Sequence, residues 1–177
     1  MRTTGNISSF QGKAPAIHES AFIDLSARVI GDVRVEEGVS IWPMAVLRAD
    51  DSPALIRRHS AVLDQCLIES PEGSPATVGE FSIISHGAVI HGAVVGPGVL
   101  VGVGAIVLDH AIVGAGSIIA AGAIVTPRTV IPPNSLIVGS PGRIVRETTP
   151  EDREGVRRQA HALFAKSRLY LKDSPPP

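Results

Sequence analysis

Six apolar residues, Ile17, Ile23, Val29, Val35, Ile41 and Leu47, recur at a strict spacing of six. Four residues after the first five come Ala21, Ala27, Val33, Val39 and Ala45, all small or β-branched. The pattern returns with Val95, Val101, Val107, Val113, Ile119, Val125, Ile131 and Ile137, and their +4 partners are again small or β-branched. A helix repeats about every 3.6 residues and a simple strand every two, so neither gives this period. A coil of short strands does. Each hexapeptide supplies one strand and one corner, and three of them close a triangular turn of about 18 residues. The aliphatic residue fills the inside, and stacked coils bury one another's interiors. The spacing predicts an all-β solenoid, a parallel β-helix of about seven triangular coils.

Composition agrees with a core of many thin layers: hydrophobic residues make up 44 % of the 177, aromatics only 3 %. Gly31-Asp32, Gly114, Gly116, Gly122 and Asn134 stand near corners, where unusual backbone angles are needed. Gly102-Val103-Gly104 and Gly114-Ala115-Gly116 are read as corner glycines rather than dinucleotide loops, because no βαβ unit surrounds them. A net charge of −1 offers no basic field for nucleic acid. The single Cys66 excludes an intramolecular disulfide and fits a reducing compartment. The segment Met1–Asn6 has no apolar signal core, and no apolar run reaches the ~18 residues of a spanning helix. A soluble, cytoplasmic chain without a membrane partner is expected.

The period breaks in three places, all between residues 47 and 95. Three residues are added around Asp50-Asp51-Ser52-Pro53, four around Ser70–Pro75, and one is lost between Ile90 and Val95. Breaks in a solenoid are where loops and sites are added. Counting through them stacks Leu47, Ile68 and Ile90, and therefore Arg48, Glu69 and His91 beside them on the outside. A second column, Val62 and Ile84, puts Asp64 near His86. Two histidines, two carboxylates and an arginine are thus expected on neighbouring strands of adjacent coils.

The solenoid is assigned to residues 1–148, a C-terminal α-helix to 149–172 and a tail to 173–177. Thr149 is the expected N-cap, with Pro150 first in the helix and Glu151 and Asp152 in its first turn. Val156, Ala160, Leu163, Phe164, Ser167, Tyr170 and Leu171 follow helical spacing on one face.

Several stretches resemble the γ-class carbonic anhydrases: Ala45-Val46-Leu47-Arg48-Ala49-Asp50, Ser85-His86-Gly87-Ala88-Val89-Ile90-His91-Gly92, Val103–Asp109, and Ile131–Ser135 through Gly139–Arg146. The resemblance implies a left-handed coil, against the usual crossover hand, and a homotrimer with a divalent metal, zinc or iron(II), between subunits. Two of that family's three metal histidines fall on His86 and His91, and the third falls on Glu69. By resemblance Glu69 and His91 come from one chain and His86 from the next. The family's pocket Asn and Gln fall on Ala61 and Leu63, which suggests a pocket for a less polar substrate.

Two imidazoles and a carboxylate form a catalytic zinc set with an open position, and also suit non-heme iron(II). A divalent ion in such a set acidifies water towards neutrality, and Glu69 weakens that effect. Alternatively, Glu69 is a solvated acid beside the Ser70–Pro75 loop. Arg48 and Asp50 are either an ion pair that supports the pocket or a structural pair at a subunit interface. Asp64 either orients His86 and handles protons, or is solvated. His18, His59, His110 and His161 lie outside both columns and read as surface or interface residues; Cys66 reads as core. The small-molecule substrate is carbon dioxide or bicarbonate, or a carboxylate or acyl compound. The expected activity is a metal-dependent lyase or hydrolase with weak or no carbon dioxide hydration. The alternatives are a hexapeptide acyltransferase or coenzyme A thioester enzyme, and a catalytically silent assembly subunit.

Overall fold

A computed structural model describes residues 6–173. The chain coils as a left-handed parallel β-solenoid of about seven turns, closed by one C-terminal helix. One face carries Ile7–Ser8, Leu67–Glu69, Val89–His91, Ile106–Val107 and Ile124–Val125. A second carries Ala16–Ile17, Ala76–Val78, Val94–Val95, Ile112–Val113 and Val130–Ile131. The third carries Phe22–Ile23, Ser40–Ile41, Ala61–Val62, Ile83–Ile84, Leu100–Val101, Ile118–Ile119 and Ser135–Val138. Two longer strands, Arg28–Val35 and Val46–Ile56, bend around one corner and join the first two faces into one sheet. Gly31 sits at that bend, where a Cβ would lie 2.2 Å from the Ala49 carbonyl oxygen.

The inward column follows the hexapeptide count. Leu47, Ile68 and Ile90 are fully buried and paired in register, Leu47 with Ile68 and Ile68 with Ile90. Small residues at the +4 positions do more than leave room. Ser82, one such residue, donates to the Gly96 carbonyl at 2.8 Å and accepts the Val99 N–H at 3.0 Å, tying one coil's corner to the next. Cys66 occupies another and donates to the Ser85 carbonyl at 2.9 Å. Burial pushes its thiol up to about 12, so it is a core residue, as its position in the repeat indicates.

The breaks take different forms. The residues added around Asp50–Pro53 do not form a loop: they lengthen the strand Val46–Ile56 and shift its register against Gly31 and Val33. The Ser70–Pro75 addition is a true loop, pinned by Ser70 Oγ accepting the Ala76 N–H at 3.1 Å. A feature outside the repeat is the strand Arg143–Glu147, which turns back antiparallel on Ser135–Val138. The two glycine pairs fall in corners between short strands, and no helix follows either.

The helix, Pro150–Asp173, starts where its caps dictate. The Asp152 N–H donates to Thr149 Oγ1 at 3.1 Å, and the Thr149 N–H donates to Asp152 Oδ2 at 2.9 Å, a reciprocal cap. The Arg146 guanidinium and the Thr149 N–H hold the Asp152 carboxyl down at about 2. Thr149→Ala is therefore expected to cost about 1 kcal/mol, a fall of roughly 2–4 °C in a thermal melt. The Asp152 contribution has a definite sign. A carboxyl held below its ordinary ~3.9 stabilises fully above that pH and loses its effect as pH falls through about 2. Melts of wild type and Asp152→Asn should accordingly converge in strong acid.

The helix seals the third face. Val156 and Ala160 pack with Phe22, Trp42, Ala61, Leu63 and Ile83 in an apolar seam, and the Tyr170 ring meets Phe22 and Trp42 with centroids 5.6 and 5.3 Å apart. Leu171, expected on this face, is 42 % exposed. No helix among the described residues is long and apolar enough to cross a membrane. Of the expected tail, 173–177, Asp173 instead ends the helix, and 174–177, like the first five residues, lie outside the described residues.

Candidate functional site

The outward column forms as counted. Arg48 pairs in register with Glu69, and Glu69 with His91, on three successive coils. Their neighbours two positions earlier, Val46, Leu67 and Val89, form a parallel apolar column, because every second residue of a strand points the same way. Each polar side chain has a partner. Arg48 Nη1 donates to Asp50 Oδ2 at 3.0 Å, and Arg48 Nη2 donates to Glu69 Oε1. His91 turns Nδ1 to the Asp109 carboxylate, 3.0 Å from Oδ1 and 3.1 Å from Oδ2. Its Nε2 then faces Glu69 Oε2 at 3.9 Å. Asp50, Arg48, Glu69, His91 and Asp109 thus stand in one row along the solenoid, hydrogen-bonded at each step except between Glu69 and His91, which face each other at 3.9 Å.

The second column also forms: Val62 pairs with Ile84, and His86 Nε2 lies 3.3 Å from Asp64 Oδ2. The His86 side chain is 58 % exposed, against 32 % for His91. The columns remain two separate groups within one chain. Among the described residues, no three His, Cys, Asp or Glu side chains converge as a ligand set. The single chain therefore offers two donors at one place and a third, exposed imidazole at another.

Whether a metal fits can be judged from the donor atoms. Two donors to one tetrahedral ion, each at about 2.0–2.1 Å, stand about 3.4 Å apart. The gap between Glu69 Oε2 and His91 Nε2, 3.9 Å, is slightly wider and closes with a small side-chain movement. The opposing charge of Arg48 is shared with Asp50 and with the other oxygen of Glu69. These donors fit a divalent ion of the zinc or iron(II) type once a third ligand is supplied.

Three expectations need correction or extension. Ala61 and Leu63, expected beside the pocket, are each 2 % exposed and packed in the seam beneath the helix. Their apolar character therefore serves helix docking, not substrate choice. Among the outlying histidines, His59 is half-buried: its ring stacks on Phe81 at 5.1 Å and meets Phe164 edge-on at 5.0 Å. His110 is exposed, and its Nε2 lies 2.9 Å from Ser74 Oγ in the added loop. Asp109 was not singled out by the column count. The lost residue between Ile90 and Val95 shifts the register, so Val107 pairs with Ile90 and Leu108 follows opposite His91. Asp109 reaches His91 from one position further on, at the corner. The space it uses exists because residue 92 is glycine: a Cβ there would stand 3.2 Å from Asp109 Oδ1 and 2.6 Å from Ser74 Cβ.

No protein-family model matches the chain. The carnitine operon protein CaiE of Salmonella newport is 35 % identical over 144 residues, which cover 81 % of this chain and 73 % of that protein. The CaiE of Escherichia coli O157:H7 is 39 % identical over 88 residues, half of this chain and 45 % of that protein. Among solved structures, a Bacillus cereus protein with a provisional acetyltransferase designation superposes with a TM-score of 0.90 at 36 % identity, covering 93 % of this chain and 95 % of that one. A hexapeptide transferase family protein from Anaplasma phagocytophilum superposes at 0.89 with 30 % identity, covering 93 % and 97 %. Fold and outward columns together define a hexapeptide-repeat β-helix protein. The chain belongs to the γ-carbonic anhydrase-like family of such proteins that includes the CaiE proteins.

Proposed function

We propose that the chain is a metal-dependent enzyme that works as a homotrimer, with Glu69 and His91 of one copy and His86 of the next holding one zinc or iron(II) ion. The observation that carries this reading is the facing pair of Glu69 Oε2 and His91 Nε2, with Arg48 and Asp109 occupying their other polar atoms. A bound divalent ion would supply positive charge that acidifies water and polarises a carbonyl or carboxylate. The chain's own residues do the rest. Arg48, held by Asp50, fixes the Glu69 carboxylate. Asp64 orients the exposed His86 imidazole and can pass a proton to or from its Nε2. The substrate is a small carbonyl compound, carbon dioxide or bicarbonate or a carboxylate or acyl compound, and the reaction is lyase or hydrolase chemistry.

Assembly has a physical basis in the faces left bare. The helix covers only the third. On the second, Val94, Ile112 and Val130 stack outward at 39 %, 45 % and 68 % exposure. On the first, Val46, Leu67, Val89, Ile106 and Ile124 run beside the polar column. Two unlike apolar columns on adjacent faces suit the head-to-tail contact of a three-fold ring, which would bring a neighbour to the Glu69–His91 pair. The provisional acetyltransferase designation of the Bacillus cereus relative, and the transferase family of the Anaplasma one, favour a second reading. In it the cleft between copies takes a coenzyme A thioester. Calorimetric titration with coenzyme A separates the two: the metal reading expects no saturable binding, the acyl reading expects it. The direct test of the first reading is light scattering beside elemental analysis of protein produced with zinc or anaerobic iron. A trimer with one metal per chain is expected; a micromolar monomer, or well below one metal per chain, would overturn it.

A further inference from the structure

The outward polar column ends on the Asp109 carboxylate, which meets His91 Nδ1 with both oxygens. We infer that Asp109 is a positioning residue: it fixes the ring orientation and tautomer of His91 before any ion or second copy is present, so that Nε2 is the nitrogen offered to a ligand. The inference rests on the reading of Glu69 and His91 as ligands.

The geometry supporting it is two-sided. A neutral imidazole has one N–H and one lone pair, and the hydrogen bond made by one nitrogen decides which is which. An ionised carboxylate only accepts. Both Asp109 oxygens lie at hydrogen-bond distance from Nδ1, 3.0 and 3.1 Å, so Nδ1 carries the proton and donates. In the neutral ring the lone pair is then on Nε2, the atom that faces Glu69 Oε2. Arg48 does the corresponding work from below by engaging Glu69 Oε1, which leaves Oε2 turned to His91. The two free donor atoms of the column are thus aimed at each other by partners on opposite sides.

Three local features hold Asp109 in place. Its carbonyl accepts the Arg128 N–H at 2.8 Å, from the next coil. The following residue, His110, has a positive φ of 57° and donates its N–H to the Gly92 carbonyl at 2.7 Å. The His110 ring meets Ser74, 3 % exposed, in the added loop. The corner that presents the carboxylate is therefore bonded on three sides. The absence of a side chain at residue 92 lets it stand beside His91.

The test uses the full-length protein in two arms. In metal-free protein, nitrogen-15 NMR of the imidazoles reads the His91 tautomer. Zinc affinity is then measured by competition with a chromophoric chelator. Wild type is expected to show the Nδ1–H form. Asp109→Ala is expected to lose that preference and to bind zinc about 10- to 100-fold more weakly, the usual consequence of removing a carboxylate behind a ligating histidine. Asp109→Asn keeps the shape and one acceptor oxygen, and should retain the tautomer and most of the affinity. This second variant covers the case in which the alanine protein fails to fold. An unchanged tautomer and affinity in a folded Asp109→Ala protein, or an Nε2–H form in wild type, would overturn the positioning role. Wild type that shows the Nδ1–H form but binds no zinc would overturn the metal reading while leaving the role of Asp109 in orienting His91 intact.

Discussion

His91→Ala is expected to strip the protein of its metal and to lower its melting temperature markedly. The substitution removes the donor that faces Glu69 Oε2 at 3.9 Å and leaves Asp109 without its imidazole. A ligand that binds only the folded state adds stability in proportion to the logarithm of its saturation. At a free ion concentration of about 100 times Kd this is roughly 2.7 kcal/mol, and at 1,000 times roughly 4.1 kcal/mol. The melting temperature of wild type should therefore rise with added metal, and that of His91→Ala should not. Metal-free wild type and the variant should melt at similar temperatures, because His91 lies on the outside and its loss opens no core cavity. A variant that still binds one equivalent of metal would show that the column is not the site.

The second large effect concerns Glu69. Wild type is expected to hydrate carbon dioxide at a rate near background, and Glu69→His to gain at least about tenfold, or roughly 1.4 kcal/mol in barrier. The reasoning is electrostatic. A carboxylate ligand neutralises part of the ion's charge, and a neutral imidazole does not, so hydroxide forms more readily near pH 7 with imidazole. Stopped-flow assays of the metal-loaded proteins provide the measurement. A wild type already turning over above ~10³ per second, the upper end of ordinary enzymes, would contradict the idea. Restoring amides at residues 61 and 63 should not help. Both positions are sealed under the helix, and an amide buried there without a partner costs about 1–3 kcal/mol. Adding Ala61→Asn and Leu63→Gln to Glu69→His should lower stability.

The sequence made the solenoid legible because its interior repeats. Once Ile17 to Leu47 and Val95 to Ile137 set the period, the pairing of Leu47 with Ile68 and Ile90 followed by counting, and with it the stacking of Arg48, Glu69 and His91. The pairing of Asp64 with His86 was legible in the same way. What was not legible depends on contacts outside the repeat. The approach of Asp109 to His91 crosses a corner where the register has slipped by one residue, although their separation of one regular turn was a usable signal. Ala61 and Leu63 were misplaced because helical spacing shows which face of a helix is apolar, but not which face of the solenoid it covers. The strand Arg143–Glu147 has no hexapeptide signature, since it runs antiparallel and every residue in it is exposed. The residues around Asp50–Pro53 read as an added segment because they break the count of six. They remain in the strand because the Ser52 N–H finds the Ser70 carbonyl at 3.0 Å on the neighbouring coil.

Sharing of one metal between copies is read out by mixing two defective chains. On the proposed shared site, His86→Ala and His91→Ala would each remove one ligand from every site of a pure trimer, so each protein alone should hold essentially no metal. In a trimer assembled from both, the ring contains one boundary where a chain with intact Glu69 and His91 is followed by a chain with intact His86. That boundary restores one complete site. Co-refolded or co-expressed mixtures, separated by distinct tags, are expected to carry one metal per mixed trimer. Mixed trimers without metal, or metal retained by pure His86→Ala protein, would contradict the sharing.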